Sequence, residues 1–166
     1  MADQPPVDFN LKAYLPVLAT AYGEAASEDF GSKVEVLSTI LNRAESGKEE
    51  FGAHTGKITD VLQKGYYAYS KQSPKFTEAL SQKFPDKASE DSFKEIVAIF
   101  SGMLKGKVKR TDSLFFFTPK EVERIRKTKV MNMDLLEETA KTKTWNFYKY
   151  KPASTAVRKK GVKKAK

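Results

Sequence analysis

Apolar residues recur at helical spacing through the first hundred positions and give way, beyond Gly106, to short aromatic runs with the character of strands. Val17, Leu18, Ala21, Tyr22 and Ala25 share one face of a helix expected over 14–25, with Pro16 accommodated in its first turn. Glu24 lies off that stripe, near the C-terminal end. Ser32-Lys33-Val34-Glu35 has the form of a capping box, whose hydroxyl and carboxylate satisfy the open N–H groups of a helix start. Val34, Leu37, Ile40, Leu41 and Ala44 then follow on one side, and Gly47 stands where a C-terminal glycine belongs. A short helix is expected over 58–64, ended by Gly65, and Tyr66-Tyr67-Ala68-Tyr69 reads as extended. A turn or two of helix over 75–83 is closed by Phe84-Pro85. The clearest pattern spans 90–105, where Phe93, Ile96, Val97, Phe100, Met103 and Leu104 form a continuous apolar face and Gly106 ends it.

Ser113-Leu114-Phe115-Phe116-Phe117 is short, aromatic and bounded by polar turns, which predicts a strand. Side chains alternate on a strand, so the three rings cannot all face one cleft and part of the run must enter the core. Thr118-Pro119-Lys120-Glu121 is a second capping box, with proline at the first helical position of a helix over 119–127. Another helix is expected over 133–141, and 144–149 has the composition of a strand able to pair with the Phe115 segment. The pattern as a whole predicts a mainly helical α+β chain: a flexible leader over 1–10, one domain over 11–151 with a small β-sheet, and a disordered basic tail over 152–166.

Composition narrows the chemistry. The chain has 166 residues, no cysteine and one histidine. Thiol nucleophiles and disulfides are excluded, and a zinc site lacks its usual set of ligands. His54 sits in a Gly-rich polar stretch and reads as a solvated loop residue. No metal and no cofactor is expected, so any catalysis must come from carboxylates, hydroxyls and amides. No apolar run approaches the roughly 20 residues needed to cross a bilayer, and the start lacks the pattern of a secretory signal. The net charge of +9 is uneven, because Arg158, Lys159, Lys160, Lys163, Lys164 and Lys166 all follow Pro152 with no acid among them. Such a tail suits an anionic polymer or an acidic partner. Lys105, Lys107, Lys109 and Arg110 form a second basic cluster, expected to be a solvated loop.

Four elements occur in a suggestive order: Tyr22-Gly23-Glu24-Ala25, then Ile40-Leu41-Asn42-Arg43 ending a helix, then Leu114-Phe115-Phe116-Phe117-Thr118-Pro119, then Trp145-Asn146-Phe147-Tyr148. Together they resemble the SleB-type cell-wall hydrolases, the spore cortex-lytic family, over about 14–150. The resemblance implies a lysozyme-like fold and cleavage of peptidoglycan glycan strands between N-acetylmuramic acid and N-acetylglucosamine. It places the family's catalytic glutamate on Glu24 and its Gly-Gln-Phe-Ser-like segment near Gly65-Tyr66-Tyr67-Ala68. Tyr22, Tyr66, Tyr67, Phe116, Phe117 and Thr118 would line the substrate. The chain departs from the pattern at Tyr66, Ala68, Thr118 and Trp145, where the family has glutamine, a hydroxyl residue, asparagine and histidine.

Glycoside cleavage usually takes two carboxylates, whereas a lytic transglycosylase works with one. On that route Glu24 protonates the bridging oxygen and then takes the proton of the muramic acid 6-hydroxyl, which closes a 1,6-anhydro ring. Asn42 and Arg43 read as structural, and Glu28, Asp29 and Glu35 as solvated or capping. The setting this implies is a phage enzyme carried in the virion or released at lysis, with virion or tail proteins as partners. Two alternatives use the same residues: a structural virion protein that keeps the fold without catalysis, and a nucleic-acid-binding protein acting through its basic clusters.

Overall fold

The computed structural model describes residues 10–152, which form seven α-helices and a three-stranded antiparallel sheet. The fold is α+β and mainly helical. The chain clusters into two compact units, Met1–Thr111 and Asp112–Lys166, each with its own buried residues. The boundary falls inside the stretch expected as one domain. Residues 1–9, and the six tail cations from Arg158 to Lys166, lie outside the described residues. Among the described residues, no helix is long and apolar enough to cross a membrane.

The helical unit is built on α1 (Leu11–Ala25), α2 (Phe30–Ser46) and α6 (Lys87–Leu104). Helix α1 starts earlier than its apolar stripe suggests because the Asn10 side chain accepts from the Ala13 N–H. Pro16 therefore sits well inside the helix rather than in its first turn. The helix tolerates it because the carbonyl left without a donor belongs to Lys12, an exposed residue. Tyr14 meets Phe100 edge-on at 5.1 Å and Tyr22 meets Phe93 at 5.8 Å, so α1 and α6 run antiparallel.

Helix α2 is capped by Asp29, whose Oδ1 accepts from the Ser32 N–H at 2.8 Å. The expected Ser32–Glu35 box is not formed. Ser32 is buried inside the first turn with no partner for its hydroxyl, and Glu35 is buried and accepts from the Thr111 hydroxyl at 2.8 Å. Residues 32–40 are buried without a break, so α2 is surrounded rather than covered on one side. Gly47 ends it in the left-handed region, as glycine at that position should.

Two 3₁₀ turns, Glu49–Phe51 and Ala53–Thr55, carry the exposed His54. After α3 (Ile58–Gly65), Tyr66 alone is extended, and 67–70 wind into the single turn α4 (Tyr67–Ser70) instead of continuing as a strand. Helix α5 (Pro74–Ser81) follows, with Ser73 as its cap. Helix α6 buries Phe93, Ile96, Val97 and Phe100 as its pattern predicts, but Leu104 at its end is 48% exposed.

In the sheet unit, β1 (Phe115–Phe117) and β2 (Leu136–Lys141) flank β3 (Asn146–Tyr150). Phe115 pairs with Tyr148 and Leu136 with Tyr150. Strand pairing thus overrides the helix expected over 133–141, of which only the 3₁₀ turn Met133–Leu135 is helical. Glu137 lies opposite Lys149 in register and within 3.3 Å of its ammonium, the kind of cross-strand charge pair that favours a strand. Helix α7 (Pro119–Thr128) opens with the predicted capping box complete: Thr118 Oγ1 accepts from the Glu121 N–H and Glu121 accepts from the Thr118 N–H.

Candidate active site

Glu24 leaves the last turn of α1 half-buried, and its Oε1 accepts from the Ala68 N–H at 2.8 Å. This bond joins two segments 44 residues apart. It is possible because the residue before Glu24 has no side chain. A Cβ on Gly23 would lie 2.5 Å from the Ala68 Cβ, so helix α1 approaches the α4 turn as closely as glycine permits. At position 68 the structure uses a backbone amide and a small side chain.

The aromatic residues divide sharply. Tyr66 is 2% exposed, and its hydroxyl is 2.9 Å from the Thr39 hydroxyl inside the core. Burial pushes its phenol above the ordinary tyrosine value; Arg43 and Thr39 pull the other way, and the nearby charge of Glu24 adds to the rise. Tyr22 is fully buried, edge-on to Phe84 and Phe93, with its hydroxyl donating to Glu78 at 3.1 Å. Burial raises its phenol too, with Ser89 and Lys75 opposing the rise and Glu78 adding to it. Both rings are core rings, closed to direct stacking on a sugar in this conformation. Tyr67 is the reverse case: 70% exposed, and adjacent in the chain to the amide that holds Glu24.

Arg43, read as structural from the sequence, is placed in the core by the structure. It is buried, with its guanidinium 5.1 Å from the Phe51 ring centre and 5.1 Å from that of Tyr66. Its Nη1 also donates to the Gly65 carbonyl at 3.4 Å. A Cβ on Gly65 would meet that nitrogen at 2.2 Å, so Gly65 provides the space the guanidinium occupies. Asn42 donates to the Thr111 carbonyl at 2.8 Å.

Phe116, Phe117 and Thr118 belong to the sheet unit. Phe115 and Phe117 stack on one face with ring centres 6.1 Å apart, while Phe116 packs against Trp145 and Phe147 on the other. Phe116 and Phe117 are half-buried, Trp145 is buried, and the Thr118 side chain is engaged as the α7 cap. Chemically, this site thus offers a carboxylate oriented by the Ala68 amide, with the exposed Tyr67 next to that amide in the chain. Comparison with protein-family models, with curated proteins and with solved structures gave no match in any of the three.

Proposed function

We propose that this chain cleaves the glycan strands of peptidoglycan between N-acetylmuramic acid and N-acetylglucosamine, with Glu24 as its single acid–base group. One observation carries the reading: the bond from the Ala68 N–H to Glu24 Oε1, which brings Glu24 onto Gly65-Tyr66-Tyr67-Ala68, the segment likened above to the Gly-Gln-Phe-Ser-like stretch of the SleB-type enzymes. An amide donor stabilises a carboxylate, but a neutral carboxyl group still accepts through its carbonyl oxygen, so the contact survives protonation. In the first half of the reaction Glu24 gives its proton to the bridging oxygen. In the second it takes the proton of the 6-hydroxyl as that oxygen bonds to the anomeric carbon. The acid is regenerated and the product ends in a 1,6-anhydro ring. Tethering the nucleophile to the same sugar supplies the effective concentration that a separate hydroxyl lacks.

Glu24→Gln tests this well, because glutamine keeps an oxygen to accept from Ala68 while losing the transferable proton. Wild-type protein incubated with purified sacculi should release anhydro-muropeptides detectable by mass spectrometry. The variant should release roughly 100-fold less or lower still, at an unchanged melting temperature. Equal product from both proteins would falsify the assignment of Glu24. No product from wild type at any pH supports the second reading, a structural protein. That reading draws on Tyr22 and Tyr66 being core rings and on Glu24 tying α1 to α4.

A further inference from the structure

A groove of about 490 Å³ opens on the helical unit, where the end of α6 and the loop after it meet Leu41 of α2. Its apolar wall is made by Leu41, Met103, Leu104 and Val108. The loop is fixed in place by several independent contacts. The Gly102 carbonyl accepts from the N–H groups of both Lys107 and Val108, at 2.8 and 3.1 Å. Val108 packs so tightly over Gly102 that a Cβ there would lie 2.5 Å from its side chain. Arg110 grips Glu45 with both guanidinium nitrogens, and the Thr111 N–H donates to the Ser38 hydroxyl at 3.1 Å. A groove held in this way needs little ordering when it is filled.

Its charge is one-sided. Glu45, the carboxylate on the lining, is matched by Arg110, which holds its carboxyl below the ordinary glutamate value. Lys109 lines the groove as well, and Lys105 and Lys107 stand on the same loop; all three are exposed, and none forms an ion pair among the described residues. An apolar wall beside uncompensated ammonium groups complements an apolar side chain flanked by carboxylates. A nucleic-acid backbone would engage the lysines and leave Leu104, at 48% exposed, in water.

We propose that this groove docks a short acidic and apolar peptide segment of a partner protein, independently of Glu24. The probe is a displayed library of dodecapeptides with two fixed aspartates flanking randomised positions, selected on the full chain. Because Leu104 is exposed, Leu104→Asp should leave the fold intact, as circular dichroism can verify, while placing a like charge in the groove. Enriched peptides should carry leucine, phenylalanine or methionine between the aspartates. They should bind Leu104→Asp at least tenfold more weakly, and the double variant Lys107→Glu, Lys109→Glu more weakly still. Leu104→Ser, which removes the apolar contact without adding charge, should also weaken the selected peptides while leaving the binding of a labelled single-stranded DNA of equal charge unaffected. The proposal is overturned if no peptide is enriched, if enrichment follows acidity alone, or if selected peptides bind Leu104→Asp as tightly as wild type.

Discussion

The helical and sheet units solve the problem of short elements in different ways. Among the described residues, the helical unit buries eight polar or charged side chains, six of them from α2 alone, whereas the sheet unit buries only Ser113. A helix enclosed on all sides must bury polar groups if its sequence contains them, and each must then find a partner. Ser38 and Thr39 turn their hydroxyls back onto carbonyls of their own helix, Lys33 reaches Glu95 at 3.1 Å, and Glu35 receives Thr111. The sheet unit instead combines aromatic pairs with the local Thr118 box and with the charge pairs that Lys149 makes at the surface with Asp112 and Glu137. One unit meets its polar groups inside the core and the other mostly outside it, so the two should respond differently to removal of one polar group.

The largest effect is expected at Arg43. Arg43→Ala removes a buried guanidinium from between two rings and leaves the Gly65 carbonyl without that donor. Gly65 is exposed and its carbonyl can turn to water, so the cost lies in the deleted buried side chain and its contacts with Phe51 and Tyr66, roughly 2–5 kcal/mol for a side chain of that size. We expect a loss of about 3 kcal/mol, read from the urea midpoint. Thr118→Ala in the sheet unit should cost only about 1 kcal/mol, the usual worth of an N-terminal cap. The Glu121 side chain can still accept from the backbone N–H of residue 118, so the box is halved rather than lost. Equal losses from the two substitutions would erase the distinction between the units.

The sequence showed most clearly what neighbouring residues decide. The stripe of α6, the Gly47 stop and the Thr118 box are local signals, and the structure repeats them. The Ser32 box failed because Asp29, three positions earlier, offers an equally good cap; both spacings fit, and pattern alone does not choose between them. Strand β2 was read as a helix because Glu-Glu-Thr-Ala-Lys lacks strand character until β3 lies beside it. At the candidate site Glu24 was visible as a side chain, but its partner is a backbone amide, and no residue type announces one. The resemblance puts Tyr22 and Tyr66 along the substrate, and an aromatic ring near a carboxylate looks the same in sequence whether it is buried or open. The close approach of Gly23 to Ala68 was hidden for a similar reason: it pairs two small residues 45 positions apart.

The smallest predicted effect tests whether an exposed charge matters to a helix otherwise held by buried contacts. Asp29 caps α2 from the surface, and the bond from the Ser32 backbone N–H holds the Asp29 carboxyl below the ordinary aspartate value. A depressed folded-state value means that the charged cap contributes stability above the unfolded value, about pH 4. That contribution fades as the pH falls through the lower, folded-state value. Asp29→Asn keeps an oxygen able to accept from Ser32 but does not titrate. Near neutral pH it should be less stable than wild type by roughly 0.5 kcal/mol, the favourable interaction of a negative charge with a helix N-terminus. At pH low enough to protonate Asp29 in the folded protein, that difference should vanish. Other carboxylates titrate in both proteins, so the quantity to follow is the gap between their urea midpoints as the pH is lowered. A gap that stays constant would mean that the Asp29 charge adds nothing to α2, and that the helix rests on its hydrogen bonds and buried partners alone.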